Sequence, residues 1–278
     1  MKSLKNPLLF LAALFVFFSC KKAPLFEKID PSHSGIKFNN EIVENDSINP
    51  LDMLNIYNGG GVGVGDFNND GKQDIYFVGN AVSNRLYINK GDMKFEDVTG
   101  KAGVGGIGGW GRGVAVVDIN NDGYTDIYVC NSLLNNPAKR MNLLYVNQGP
   151  DKDGVPLFKE QAKAYGLDIN VHSTMASFFD YDNDGDLDMY LTVNEAQQTD
   201  NTSMFRDLAK DGSAASTGRL YRNDYSPVAK HPVYTNVSIQ AGVSIEGYGH
   251  ATTIADINLD GWKDIMLPTI FYPITSYT

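Results

Sequence analysis

The sequence is poor in cysteine, in basic residues and in long apolar runs. Its 278 residues hold two cysteines, which excludes a scaffold stapled by several disulfides. Lys and Arg number 23 against 33 Asp and Glu, a formal net charge of −10, which argues against nucleic acid as a partner. A hydrophobic content of 42% excludes a wholly disordered chain. The abundant residues are 28 glycines, 15 tyrosines and 14 phenylalanines, which favour turns joining aromatic-rich strands and therefore an all-β fold.

The one long apolar run is N-terminal. Residues 8–18 follow two lysines and are too few to span a bilayer comfortably, which is typical of a signal peptide. The Ser-Cys pair ending at Cys20 resembles the lipobox of bacterial lipoproteins, in which the cysteine receives the lipid. We expect a signal peptide over residues 1–19 and a lipidated cysteine and linker over residues 20–25. Lysines after Cys20 imply, by analogy, an exported outer-membrane lipoprotein that meets the membrane through its anchor only; an ordinary cleaved signal peptide is the alternative.

The second cysteine, Cys130, lies in the apolar run IYVCN and has no disulfide partner once Cys20 is lipidated. We predict that it packs as a small buried apolar residue. A nucleophilic role is the alternative, although no pattern of His or Asp surrounds it.

A nine-residue pattern recurs four times, with oxygen-bearing side chains at positions 1, 3, 5 and 9 and glycine at position 6. The copies are DFNNDGKQD (Asp66–Asp74), DINNDGYTD (Asp118–Asp126), DYDNDGDLD (Asp180–Asp188) and DINLDGWKD (Asp256–Asp264). Hard oxygen ligands on a tight turn suit Ca²⁺, and the carbonyl at position 7 can add a ligand. From Cys20 onward the net charge is −12, and the loops contribute −2, −3, −5 and −2, so all the excess acidity lies in them. Such carboxylates repel one another without a cation, and we expect the fold to need metal.

The residues around the loops predict strands. An EF-hand needs Glu at position 12 and flanking helices, but position 12 here is apolar: Phe77, Val129, Leu191 and Leu267. Short apolar runs precede and follow each loop, and downstream RLYINKG and FEDVTGKAGV recur in related forms, giving four strands per unit. The segment FEKIDPSHSGI from Phe26 repeats the fourth-strand element, as a ring closed by its first segment requires.

These repeats resemble FG-GAP/VCBS repeats, and NRLYINKGDMKFEDVTGKAGV followed by VAVVDINNDGYTDIYV is similar to the ASPIC/UnbV-associated, CRTAC-like group of bacterial lipoproteins. The resemblance implies an integrin-α-type β-propeller over residues 26–278, with calcium between the first two strands of each blade. The implied side-chain ligands are Asp66, Asn68, Asp70, Asp74, Asp118, Asn120, Asp122, Asp126, Asp180, Asp182, Asp184, Asp188, Asp256, Asn258, Asp260 and Asp264. The implied position-7 carbonyls are those of Lys72, Tyr124, Asp186 and Trp262.

The repeats span about residues 26–94, 95–157, 158–232 and 233–278, which gives three complete blades and part of a fourth. The fourth unit lacks the RLYxN element, and the ASPIC/UnbV segment is also missing. We expect a truncated chain rather than a closed four-bladed ring.

Binding residues are expected at the end of the propeller opposite the loops. Positions eight and six before each loop would ring the central channel, and include Trp110, Arg112, His172, Tyr248 and His250, with Asn58, Gly60 and Thr174 at the remaining places. Long links near residues 131–141 and 194–218 lie on the same end and suit recognition or a tolerated insertion.

No catalytic motif occurs, so we expect a calcium-stabilised module that binds a glycan or a protein at the bacterial envelope. One alternative is a lyase or hydrolase of envelope polysaccharide that uses His172 and His250 as acid and base. Another is a scaffold subunit of an outer-membrane complex.

Overall fold

The computed structural model describes residues 24–106, 108–195, 207–268 and 275–277; the predicted signal peptide and Cys20 lie outside these ranges. Its sheets are antiparallel, and the strands lie side by side in chain order. The first sheet holds β1 (Val62–Gly65), β2 (Asp74–Phe77), β3 (Arg85–Asn89) and β4 (Phe95–Asp97). The second holds β5 (Gly111–Val117), β6 (Asp126–Asn131), β7 (Leu143–Pro150) and β8 (Pro156–Glu160). The third holds β9 (Ser173–Phe179), β10 (Asp188–Val193), β11 (Arg219–Ser226) and β12 (His231–Asn236). The fourth holds β13 (Thr253–Ala255), β14 (Asp264–Leu267) and β15 (Thr275–Tyr277).

This arrangement confirms the all-β class and the four-stranded blades. Helical structure among the described residues is short: α1 (Pro31–Ser34), α2 (Thr99–Ala102), α3 (Ala162–Tyr165) and a 3-10 turn (Pro137–Lys139). No helix in these ranges combines the length and the apolar character that crossing a membrane requires.

The core lies between neighbouring sheets, which stack face to face. All six residues of β6 are buried. Ile127 and Val129 pack toward the first blade, whereas Tyr128 and Cys130 pack toward the third. Because successive side chains of a strand point to opposite faces, a strand between two neighbours is apolar throughout, as IYVC is. Cys130 is fully buried, and its burial raises the pKa of the thiol.

The first strands of the blades gather around one axis. The Gly61 N–H donates to the Arg112 carbonyl, which joins the segment before β1 to β5. A Cβ at Gly113 would lie 2.3 Å from the Thr174 carbonyl oxygen, so glycine is what allows β5 to approach β9. The repeated loops join first and second strands at one end of this axis, and the first strands begin at the other end.

Three helical turns, each ending in a left-handed glycine, tie the N-terminal segment to the first blade, the first blade to the second and the second to the third. Gly35, Gly103 and Gly166 follow α1, α2 and α3 with φ of 75°, 79° and 73°. A Cβ built on Gly35 would meet the Phe95 carbonyl, one on Gly103 the Phe158 carbonyl, and one on Gly166 the Tyr234 carbonyl. Each turn therefore lies against the fourth strand of the following blade.

The N-terminal segment repeats this turn without the strand before it. The sequence predicts that FEKIDPSHSGI is a further fourth-strand element, and α1 with Gly35 occupies the corresponding place against the first blade. Residues 24–30 form no strand in the structure, and Phe26 is exposed. In the complete blades a fourth strand pairs with the third, and no third strand pairs with residues 24–30 among the described residues.

A buried tyrosine and asparagine fix the second and third strands of the first two blades. Tyr128 Oη donates to the Leu167 carbonyl at 3.1 Å and accepts from Asn142 Nδ2 at 2.9 Å. Tyr76 makes the matching pair of bonds with the Val104 carbonyl and Asn84. These bonds satisfy polar groups that would otherwise be stranded in an apolar core.

We predict that Tyr128→Phe lowers the free energy of unfolding by about 1–3 kcal/mol, because it leaves two buried partners without their hydrogen bonds. Denaturant unfolding in excess calcium measures this loss. Tyr225→Phe is the matched control, since Tyr225 is 60% exposed, and it should change stability by less than about 0.5 kcal/mol. Equal effects of the two substitutions would contradict the assigned role of the Tyr128 hydroxyl.

Candidate functional site

The four repeated loops share one hydrogen-bond pattern that folds each of them around its own carboxylates. The aspartate at position 1 accepts the backbone N–H of position 5 on one oxygen and that of the position-6 glycine on the other. These bonds come from Asp66, Asp118, Asp180 and Asp256, at 2.7–3.2 Å. The aspartate at position 5 accepts the N–H of the position-7 residue at 2.9 Å in every copy, which holds Lys72, Tyr124, Asp186 and Trp262 within the turn.

The backbone of each loop is left-handed at positions 4 and 6. The glycines have φ between 83° and 94°, values that favour glycine because it lacks a Cβ. Position 4 is asparagine in the first three loops, and asparagine tolerates this region better than most residues. Leu259 adopts φ 62° at the same position of the fourth loop while 85% exposed, so that loop is held at a conformational cost.

The aspartate at position 9 is buried in every loop, in contrast to the exposed loop tips. Asp126 Oδ2 accepts the Ile119 N–H at 2.9 Å, and its Oδ1 accepts the Asn147 N–H at 2.7 Å. Asp74 and Asp188 bind the equivalent pairs of amides. One side chain thus ties the start of its loop to the third strand of its blade.

Burial dominates the electrostatics of these position-9 carboxyls. Desolvation raises the pKa of Asp126 to about 7 and the pKa values of Asp74 and Asp188 to about 6, although the amide hydrogen bonds and the nearby carboxylates also act on them. A cation beside these groups would favour their charged form.

The third loop has the donor set that a metal ion requires. Oxygens of Asp180, Asp182 and Asp188 lie within 4.8 Å of one another. Asp182 Oδ1 is buried and has no hydrogen-bond partner among the described residues, so this member of the cluster keeps an unused acceptor. Three carboxylates on a tight turn match the ligands that hard divalent cations prefer. This loop therefore holds an aspartate triad able to bind a metal.

The other loops replace one member of that triad with an amide. Asn120 Nδ2 donates to Asp122 Oδ2 at 2.8 Å, and Asn258 makes the same bond to Asp260 at 2.9 Å. In the first loop Asn68 Nδ2 instead donates to the Gly154 carbonyl. In these loops the predicted side-chain ligands lie on one turn, but with one carboxylate fewer than in the third.

Neighbouring loops are joined by the asparagine at position 4. Asn69 Nδ2 donates to the Gly123 carbonyl at 3.0 Å, and Asn183 Nδ2 lies 3.5 Å from the Gly261 carbonyl. Each accepting glycine is at position 6 of the following loop, beside the carbonyl predicted as a ligand. These bonds join the first loop to the second and the third loop to the fourth.

At the opposite end, the residues six positions before each loop meet in one open hollow of about 410 Å³, which we call the axial depression. It is lined by Asn58, Gly59, Gly60, Gly61, Arg112, Thr174 and His250. Gly60, Arg112, Thr174 and His250 are the four residues at six positions before the loops, so the equivalent points of four blades line a single surface.

Of the four residues eight positions before the loops, one lines the axial depression and three are buried. Asn58 lines the depression, whereas Trp110, His172 and Tyr248 are buried, with exposed fractions of 1%, 4% and 6%. Trp110 packs with Met53 and other apolar residues. The pairing register shifts near the beginning of β5 and β9. This irregular backbone interrupts the alternation of side chains between the two faces of the strand, so residues two positions apart no longer share a face.

The axial depression combines one buried cation with neutral polar groups. Arg112 is 8% exposed, and its Nη1 donates to the Asn55 carbonyl at 2.9 Å. Burial lowers the pKa of the guanidinium, which nevertheless stays charged at neutral pH. Burial, with a smaller contribution from Arg112, also lowers the pKa of His250.

Other contacts hold the walls of the depression. The Thr174 hydroxyl lies within hydrogen-bond distance of the Thr192 and Gly249 carbonyls and so bridges the third and fourth sheets. Asn194 Nδ2 lies 3.1 Å from His250 Nε2. The sequence did not predict that Asn194 and the glycines at positions 59 and 61 contribute to the depression. The run of three glycines before the first loop was the only feature of the sequence that could have pointed to them.

The two long links differ in what the structure describes. In the second blade, the Arg140 guanidinium donates to the carbonyls of Leu134, Asn135 and Asn170, which fixes the link around residues 131–141. Residues 196–206 of the third-blade link, including the polar side chains that favoured recognition, lie outside the described residues.

We predict that His172 makes the fold sensitive to mild acid. Burial, followed by the charge of Arg140, lowers the pKa of His172 to about 4 from an ordinary value of 6.5. The unfolded chain therefore binds the proton more readily, and stability is lost as the pH falls from about 6.5 toward 4.

His172→Gln should flatten that part of the pH dependence, measured as the difference between variant and wild-type unfolding free energies from pH 7.5 to 4.5 in excess calcium. His33→Gln, at an exposed position, should retain the wild-type slope. A wild-type slope in His172→Gln would exclude this histidine as its source.

Comparison with known proteins agrees with the repeat architecture. A family model described as "FG-GAP-like repeat" matches residues 55–129, which include the first two loops. Cartilage acidic protein 1 of Xenopus tropicalis is 28% identical over 216 residues, 77% of this chain and 29% of that protein. Its Homo sapiens counterpart is 28% identical over 214 residues, 76% of this chain and 28% of that protein. This chain thus spans less than a third of the curated relatives it matches. It carries an FG-GAP-like repeat region and is distantly similar to cartilage acidic protein 1.

Proposed function

We propose that this protein is a calcium-stabilised, lipid-anchored module of the cell envelope that binds a glycan or a protein through the axial depression. The observation that carries the proposal is the depression itself, in which four blades contribute equivalent residues to one polar, open surface. A rigid scaffold that presents such a hollow suits recognition, because little conformational entropy is lost when a ligand binds.

The loop end suits a structural role. The predicted ligands of each loop come from one short turn. Both carboxylate oxygens of the position-9 aspartate Asp126 accept hydrogen bonds from backbone amides. The uncompensated oxygen of Asp182 supports a cation in the third loop, and the shared loop conformation supports calcium in all four.

Binding is favoured over catalysis by the position of His172. The acid–base alternative requires His172 and His250 to face the same substrate, but His172 is 4% exposed and does not line the depression. Proton transfer in catalysis needs a group within hydrogen-bond reach of the substrate.

The proposed lipid anchor is supported by the sequence of residues 1–20. The lipobox-like Ser-Cys pair would place the folded blades at the membrane surface, attached through a short linker. Labelling with a radioactive fatty acid should mark the protein and should fail with Cys20→Ser.

We expect calcium to raise the unfolding temperature and a chelator to lower it. A site at 100 times its dissociation constant contributes about 2.7 kcal/mol. Asp182→Asn gives the third loop an amide like the other three, and should weaken its calcium affinity and reduce the thermal shift. The third loop should bind most tightly and the fourth, with Leu259 and Lys263, most weakly.

Isothermal titration with calcium and thermal unfolding with and without chelator check these expectations. Asp46→Asn, in an exposed turn far along the chain from the loops, is the control and should leave both readouts unchanged. An unfolding transition indifferent to chelator would show that the loops are only turns.

The axial depression is tested by filling it. Asn58 is exposed at its rim, so Asn58→Trp should keep the fold but reduce retention of soluble cell-surface polysaccharide or envelope protein on the immobilised protein by roughly tenfold or more. Val228→Trp is the matched control, because Val228 is 95% exposed in the β11–β12 turn at the loop end.

Unchanged retention with Asn58→Trp, or an equal loss with both variants, would contradict recognition by the depression. Recovery of shortened polysaccharide chains would instead indicate the enzyme alternative.

A further inference from the structure

Arg112 is a buried cation without an anionic partner in the described part of the chain. Its Nη1 donates to the Asn55 carbonyl, and no ion pair to it forms among the described residues. A guanidinium carries five N–H donors, and burying its charge is unfavourable unless an anion or several acceptors compensate. An anionic ligand would supply the missing negative charge and accept hydrogen bonds from the remaining N–H donors.

The residues around Arg112 do not neutralise the positive charge of its guanidinium. Asn58, three glycines, Thr174 and His250 complete the lining of the axial depression, and none of them is acidic. Asp118, the nearest loop aspartate along β5, is six residues away, a strand length of roughly 20 Å. The interaction between two charges falls with their separation, so over roughly 20 Å it is about five times weaker than in a contact pair at about 4 Å. The depression is therefore a local positive site on a chain whose formal net charge is −10.

His250 supplies a neutral donor beside this cation. Asn194 Nδ2 faces His250 Nε2 at 3.1 Å; since an amide nitrogen only donates, Nε2 accepts and the ring proton is assigned to Nδ1. The lowered pKa of His250 keeps the ring uncharged at neutral pH. A ligand can thus meet a single fixed charge and adjacent hydrogen-bonding groups.

The lining also distinguishes between classes of ligand. It consists of asparagine, glycine, arginine, threonine and histidine, with no apolar side chain. Sites that bind protein segments usually present apolar or aromatic anchors, whereas a hydroxyl-rich ligand is satisfied by polar groups. A volume of about 410 Å³ lies within the range of small-ligand pockets.

We propose that the axial depression binds the carboxylate of an acidic sugar, with the Arg112 guanidinium as its counter-ion. A planar carboxylate can accept two parallel N–H bonds from a guanidinium, a geometry that lysine cannot supply. His250 and Thr174 line the same depression and offer polar groups to the hydroxyls of such a sugar. The inference rests on the proposed binding function and names the ligand class of that same site.

The experiment is a calorimetric titration of the calcium-loaded protein with trigalacturonate and with its carboxyl-reduced, neutral counterpart. Free calcium is held constant, because uronates themselves bind calcium. Wild type should bind the acidic trisaccharide, and the neutral one much more weakly. Arg112→Gln should raise the Kd for trigalacturonate on the order of 10- to 100-fold, because it removes hydrogen bonds between charged groups.

Two further variants separate the site from general effects of charge and folding. Arg85→Gln makes the same change in charge at an exposed strand position and should leave the Kd unchanged. Asn58→Asp adds a carboxylate at the exposed rim and should weaken binding of the acidic trisaccharide while leaving the unfolding temperature unchanged, so the test holds even if Arg112→Gln fails to fold.

Equal affinity for the acidic and the neutral trisaccharide would overturn the carboxylate inference while leaving the depression as a binding site. Binding of a polyglutamate peptide in place of trigalacturonate would overturn the assignment to sugars. Failure of the broader function would appear separately, as retention of envelope ligands that is unaffected by Asn58→Trp.

Discussion

The first three blades depend on a single kind of interaction, the pair of hydrogen bonds that the buried position-9 aspartate of each accepts from the backbone. Asp126 joins the Ile119 amide at the start of its loop to the Asn147 amide in the third strand, and so fixes three segments with one side chain. Because burial disfavours its charge, the anion is retained only with strong donors or a cation nearby. The conformation of the loop and the packing of the sheet are therefore coupled through one carboxylate.

The fold was largely predictable from the sequence, whereas the set of residues that line the axial depression was not. The loops and the apolar runs beside them act locally, and their repetition reveals the strand order in the residues alone. Trp110 and His172 show the limit, because their burial depends on backbone irregularities at the start of β5 and β9 that no residue pattern encodes. The pairing of Tyr128 with Asn142 also spans elements whose contact requires the assembled blade.

The two ends of the propeller-like array have opposite chemistry. At one end, carboxylates are drawn together and linked from loop to loop by Asn69 and Asn183. At the other, the single buried guanidinium of Arg112 lies among neutral groups. The first strands hold these ends roughly 20 Å apart, a separation at which the attraction between opposite charges is about a fifth of that in a contact pair. A cation bound at the loops and the proposed anion in the depression would therefore attract each other only weakly.

The helical turns that end at Gly35, Gly103 and Gly166 have an evolutionary consequence. The turns at Gly103 and Gly166 each follow the fourth strand of one blade and lie against the fourth strand of the next, so a stretch of gene that encodes a repeat also encodes half of the interface to its successor. Duplication of such a stretch adds a blade together with its means of attachment. An array built in this way can gain or lose blades without requiring new contacts between them.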